Sequence, residues 1–154
     1  MKPTTIVFAL TLLFTSAVVC LADSPQMGTW KLNEAKSKLG PGTGKNHTVI
    51  YAAAGDNVKI TVDGVDAENK PTHNEWTGKF DGKYYPVTGD STSDTRMYKQ
   101  INARTLSLTA KKGGTVSLTG RVVVSVDGKT RTVTTNTTTS SGKKVSSKAV
   151  YDKQ

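Results

Sequence analysis

Apolar and polar residues alternate along most of the chain after Gly28. Val58, Ile60 and Val62 are separated by Lys59 and Thr61. Leu106 and Leu108 are flanked by Thr105, Ser107 and Thr109. The longest run is Val116, Leu118, Gly120, Val122, Val124 and Val126, with polar Ser117, Thr119, Arg121 and Ser125 between and Val123 as the exception. A period of two marks strands with one buried face. Abundant threonine and valine, both β-branched, fit a pleated surface. Ala54-Gly55-Asp56-Asn57, Asp81-Gly82, Lys112-Gly113-Gly114, Asp127-Gly128 and Ser141-Gly142 stand between these runs and supply tight-turn chemistry. The pattern predicts ten strands, near 28–33, 46–54, 57–64, 72–80, 83–88, 94–101, 104–111, 114–126, 129–139 and 143–151. Connections this short force antiparallel neighbours, so the expected class is all-β: an up-and-down meander that closes to remove its edges. Glu34–Leu39 has room for one helical turn. The glycine-rich stretch Gly40-Pro41-Gly42 is expected to be the loosest loop, and another lies at Gly89–Asp94. Seven threonines between Thr130 and Thr139 fit a polar strand.

The first 22 residues break the pattern. Lys2 precedes a largely apolar run from Ile6 to Val19, and Cys20-Leu21-Ala22 offers small residues where a signal peptidase cuts. The run is shorter than a spanning helix needs. Met1–Ala22 is therefore expected to be a removed leader, 23–154 a single secreted or periplasmic domain, and no membrane span is expected. Val19 is too bulky for the site that precedes a lipid-modified cysteine, so Cys20 is expected to leave with the leader. The remaining domain then has no thiol.

Charge adds one further possibility. The full chain carries +9 over 154 residues; twenty basic side chains and all twelve acids lie after Ala22, leaving +8. Such a balance attracts anionic surfaces and polymers, or simply keeps a protein soluble. Basic residues do not interleave with Tyr51, Tyr84, Tyr85 and Tyr98 as a nucleic-acid stacking surface requires, so nucleic acid is not expected as a partner.

Gly28-Thr29-Trp30-Lys31-Leu32 resembles the entry motif of lipocalins and fatty-acid-binding proteins, in which the tryptophan closes one end of a barrel. Val150-Tyr151-Asp152-Lys153 is similar to the closing strand of the fatty-acid-binding proteins. Over its whole predicted mature length the chain resembles small secreted bacterial lipocalin-like domains, on its Gly28–Asn33 start, Lys70-Pro71-Thr72-His73 and Tyr85-Pro86-Val87-Thr88-Gly89. The resemblance implies a calycin-type barrel of about eight to ten strands, with Trp30 as a structural plug. Two departures limit it. About a dozen residues stand where the fatty-acid-binding proteins insert a helix pair, and Ala149 stands where they carry a ligand-binding arginine two residues before the closing tyrosine.

Chemistry-bearing residues are sparse. His73 and Glu75 share a strand face about 7 Å apart, opposite Asn74, Trp76, Gly78 and Phe80. They are expected to face water, and two groups fall short of a metal site. No Gly-x-Ser-x-Gly elbow and no phosphate loop occurs; no enzyme activity, cofactor or metal is expected. Asn46 and Asn136 begin sequons that matter only in a eukaryotic secretory route. The expected buried face includes Trp30, Tyr51, Trp76, Tyr85, Val116 and Tyr151, while Gly120, Thr135, Ser147 and Ala149 leave an inward surface of small groups. That leaves room for a ligand or water, or lets a flattened barrel pack solid. Arg131 shares parity with Val133 and, pointing inward, would need an acid or offer a grip on a carboxylate or phosphate. Tyr151 offers a hydroxyl. Arg96 and Tyr98 form a second candidate pair on a strand whose facing is ambiguous, because Met97 and Ile101 occupy the other face. A surface position is the alternative for each arginine. The expected function is an exported protein that binds a small apolar or amphipathic ligand in its interior, with ligand-binding Arg131, Tyr151, Arg96 and Tyr98. The alternative is a basic barrel that binds an anionic surface or polymer and holds no internal ligand.

Overall fold

The computed structural model of the protein describes residues 23–139 and 141–154. The chain forms ten strands: β1 (Gly28–Leu32), β2 (Lys45–Ala54), β3 (Asn57–Val65), β4 (Pro71–Gly78), β5 (Asp81–Thr88), β6 (Thr95–Asn102), β7 (Thr105–Lys112), β8 (Thr115–Val124), β9 (Thr130–Thr138) and β10 (Lys144–Lys153). Each strand pairs antiparallel with its neighbours in sequence, and β1 also pairs with β10. The result is an all-β meander closed into a barrel, consistent with a calycin or lipocalin-like fold. The leader expected over Met1–Ala22, Cys20 included, lies outside the described residues.

Strand ends fall within two residues of those the alternation predicts. The inward faces of β2, β3 and β4 bury Val49, Tyr51, Val58, Ile60, Val62 and Trp76. The outer wall carries charge at mid-height, through Lys99, Arg121 and Lys148. That is the reverse of a membrane barrel, whose outward band is apolar. Among the described residues no helix is long and apolar enough to cross a membrane.

One end of the barrel is closed by the segment preceding β1. The Met27 N–H donates to the Ser24 carbonyl at 3.0 Å, turning the chain beneath the strands. Gln26 is buried there: its Nε2 donates to the Arg104 carbonyl, and its own carbonyl accepts the Trp30 Nε1–H at 3.0 Å. Trp30 is fully buried and occupies the place of a plug.

The structure corrects several expectations. Val116 is 46% exposed, not buried. A register shift where Ala110 and Lys111 meet Leu118 and Val116 breaks the alternation and turns Val116 out. β8 ends at Val124, so Val126 falls in the β8–β9 turn and is 83% exposed. Burial settles the facing of β6: Arg96 and Tyr98 are buried, and Ile101, on the opposite parity, points out. The two expected loose loops are tied down. After a 3-10 turn at Glu34–Lys36, capped by the Asn33 side chain, Lys38 bridges to Lys148 and Gly40 N–H donates to Ser147 Oγ at 2.9 Å. In the β5–β6 loop, Asp90 accepts from Thr92, Ser93 and Arg96.

Gly78 has no side chain because there is no space for one. A Cβ there would lie 2.6 Å from the Tyr85 ring and 2.7 Å from the Trp76 ring. Gly78→Ala is expected to destabilise the barrel by about 1–3 kcal/mol through overpacking. A urea titration with an unchanged slope and a lowered midpoint checks it.

Candidate functional site

Arg131 is the second residue of β9. Cross-strand pairing sets it between Val124 and Tyr151, with its side chain inward. It is 2% exposed. Its guanidinium carbon lies 4.7 Å from the centre of the Tyr51 ring, 5.0 Å from that of Trp30 and 5.1 Å from that of Tyr151. Three ring faces therefore supply favourable quadrupoles to one cation. Among the described residues, Nε and Nη1 of Arg131 have no hydrogen-bond partner, and no carboxylate forms an ion pair with it. Burial pushes the Tyr151 hydroxyl up to about 12, although Arg131 pulls the other way. Burial, reinforced by neighbouring Tyr98, raises the Tyr51 hydroxyl further. Both phenols are neutral at pH 7 and can donate to an anion.

Beside this cage lies a cluster of aromatic rings. Trp76 meets Tyr98 edge-on at 4.9 Å and Tyr85 at 5.7 Å, and stacks on Phe80 at 6.4 Å. Tyr51 joins the two groups, 6.3 Å from Tyr98 and 6.2 Å from Phe80. The interior at this end is thus filled by large rings and not thinly occupied. Above Arg131 the character changes. Val133, Thr135 and Thr137 share its face of β9, and Ser147 shares that of Ala149 on β10; all four are half-buried. The upper interior is lined by small, largely polar, water-accessible groups.

The second expected pair is divided. Tyr98 belongs to the aromatic cluster. Arg96 is committed within the protein: its Nη2 donates to Asp90 Oδ2 at 2.9 Å and to Asn74 Oδ1 at 3.3 Å. Burial raises the Asp90 carboxyl, but hydrogen bonds from Ser93 and Thr92 and the charge of Arg96 outweigh it and hold the group below its ordinary value. Arg96 and Arg131, alike in sequence as inward candidates, therefore differ in kind: Arg96 is paired, whereas Arg131 has no acceptor for Nε and Nη1 among the described residues.

His73 and Glu75 lie on the outer wall. His73 Nδ1 is 2.6 Å from Asp63 Oδ1, and Lys59 Nζ is 2.8 Å from Glu75 Oε1. The hydrogen bond that the His73 imidazole donates to the Asp63 carboxylate raises its pKa above the usual value. Among the described residues no three potential ligands cluster around a common point.

Sequence reasoning missed Tyr51 as a member of the Arg131 cage, and Asp90 and Asn74 as partners of Arg96. Tyr51 is expected in the core, but only the closure of β1 on β10, with β2 beside β1, carries it to Arg131. No protein-family model and no curated protein matches the chain.

Asp90 generates a pH prediction. Its folded pKa lies below an unfolded value of about 3.9. Its contribution is therefore complete above that value and is lost as pH falls through the folded pKa. Asp90→Asn is expected to cost roughly 1–3 kcal/mol at pH 7 and to flatten the loss of stability below about pH 4. Thermal melts of both proteins from neutral to strongly acid pH check the slope.

Proposed function

We propose that the protein is an exported, lipocalin-like binding protein that holds a small amphipathic anion inside its barrel. Arg131 is the anchor for the anionic group. The carrying observation is the buried guanidinium with two donor nitrogens that have no hydrogen-bond partner among the described residues. A buried polar group without a partner costs free energy, more so when charged. A ligand carboxylate or phosphate supplies both missing acceptors in the fork geometry that arginine favours.

The surroundings favour an amphipathic molecule over an inorganic ion. Tyr51 and Tyr151 offer neutral hydroxyls beside the anchor, and the rings of Trp76, Phe80 and Tyr98 offer an apolar wall next to it. The half-buried threonines of upper β9 give a wet approach from the opposite end. Nothing in this arrangement pairs a nucleophile with a base, so binding without catalysis is the assignment. Export rests on the leader pattern over Met1–Ala22, with Asp23 as the first residue of the secreted form.

Arg131→Met replaces the cation by an apolar chain of similar reach, and removing an unpaired buried charge is compatible with a stable fold. With anilinonaphthalene sulfonate as probe and decanoate as competitor, the unaltered protein is expected to bind both, and the variant to bind at least about tenfold more weakly, about 1.4 kcal/mol. Decanol is expected to bind both proteins alike. Affinity for decanoate is expected to persist at about 0.5 M salt, because buried pairs are poorly screened. Equal decanoate affinity in Arg131→Met, with fold retained, removes Arg131 from the site.

A further inference from the structure

Charge is divided unevenly between the two halves of the barrel wall. From Asp23 to Asp94 the chain holds ten acids and eight bases. From Thr95 to Lys153, the span of β6 to β10, it holds twelve bases and two acids, Asp127 and Asp152. Two of the twelve, Arg96 and Arg131, are buried. Among the described residues none of the other ten forms an ion pair, whereas three of the eight bases on the opposite half do: Lys45 with Glu34, Lys59 with Glu75, and Lys36 with Asp152 at the end of β10.

Pairing register arranges part of this charge. Lys99, Ser107, Arg121, Thr134 and Lys148 follow one another across β6 to β10, one residue per strand. Neighbouring strands lie about 4.8 Å apart, so successive cations stand about 10 Å from each other. No carboxylate interrupts the row.

A second, independent feature lies on the same wall. Val126, Ile101 and Val123 are 83%, 48% and 39% exposed, and all three sit toward the end where the β6–β7 and β8–β9 turns meet. A groove of about 450 Å³ runs between the two turns, lined by Asn102–Thr105 and Val123–Val126. Arg104 and Lys129, both exposed, belong to these same turns.

We propose that this end of the β6–β10 wall docks on an anionic lipid bilayer. Val126 and its aliphatic neighbours enter the headgroup boundary, and Arg104, Arg121 and Lys129 meet the lipid phosphates. Interfacial binding sums buried apolar area and attraction to anionic headgroups, and both are present together here. A soluble polyanion would use the cations and gain nothing from the exposed aliphatic side chains. This docking stands apart from the interior site.

Sedimentation of the protein with vesicles of equal parts phosphatidylglycerol and phosphatidylcholine tests it, beside phosphatidylcholine alone and soluble dextran sulfate. Binding is expected only to vesicles that contain phosphatidylglycerol, falling as salt rises. Val126→Asp and the pair Arg104→Glu with Lys129→Glu are each expected to weaken it at least tenfold. Lys70→Glu, on the opposite half, and Arg131→Met are expected to leave it unchanged. These exposed turn positions allow folding to be verified by circular dichroism. Absence of binding to the anionic vesicles overturns the proposal. So does vesicle binding that Val126→Asp leaves intact; if dextran sulfate is then bound as well, the wall belongs to a soluble polyanion.

Discussion

Three residues of β1 pair with three of β10: Trp30 with Lys153, Lys31 with Asp152 and Leu32 with Tyr151. This is a short register on which to close a ten-strand sheet. It is lengthened past the 3-10 turn, where Asn33 N–H donates to the Val150 carbonyl, Val150 N–H to Ser37 Oγ, and Lys38 exchanges backbone hydrogen bonds with Lys148. Without that seam, β1 and β10 would be open edges with unsatisfied backbone groups. The interior would also lose its floor. Trp30 and Tyr151 come from the two sides of the seam, and Tyr51 is set by the strand next to it. The cage around Arg131 exists only because the sheet is closed there.

That cage poses a problem of magnitude. Taking a guanidinium out of water costs several kcal/mol even after relaxation. A desolvated cation–π contact returns up to about 2 kcal/mol, so three ring faces are of the right size to offset the charge. They do not offset the donors. A ring face attracts positive charge diffusely, whereas an N–H needs an acceptor within about 3 Å and in line. Arg96 shows what the same barrel does when a buried arginine is structural: it provides Asp90 and Asn74. Arg131 receives rings and, among the described residues, no acceptor for Nε or Nη1. The contrast within one interior favours a ligand role for Arg131 over a purely structural one.

Much of the fold was legible because it rests on period and punctuation. Alternation identified ten strands, and the Asp-Gly and Gly-Gly turns bounded them. What alternation conveys poorly is the single inserted residue. The shift at Ala110–Lys111 leaves no mark in composition, yet it turns a side chain over, taking Val116 out to solvent. Looseness was misjudged at Gly40 and Gly89 for a different reason. Glycine there reflects close approach: a Cβ on Gly40 would meet Val145 Cγ1 at 2.2 Å, and one on Gly89 the His73 carbonyl at 2.2 Å. The candidate site was legible residue by residue but not in its grouping. Parity pointed Arg131 and Tyr151 inward; only closure brings Trp30 and Tyr51, from the far end of the sequence, around them.

The charge division follows from topology. In an up-and-down barrel, order in sequence is also order around the axis, since each strand lies beside the one before it. A block of sequence rich in one charge therefore becomes a sector of the wall, with no folding of distant segments required. Read along the chain, the basic residues of β6 to β10 are spread among threonines and valines and form no run. Projected onto the wall, the loss of one residue type is what matters: acids are nearly absent over five consecutive strands, while the cations remain. Local spacing describes a solvated face; angular position describes a field of one sign. A field held on one side orients the whole molecule toward an anionic surface before any contact forms, and the exposed aliphatic residues at Ile101, Val123 and Val126 lie on the side that it would present.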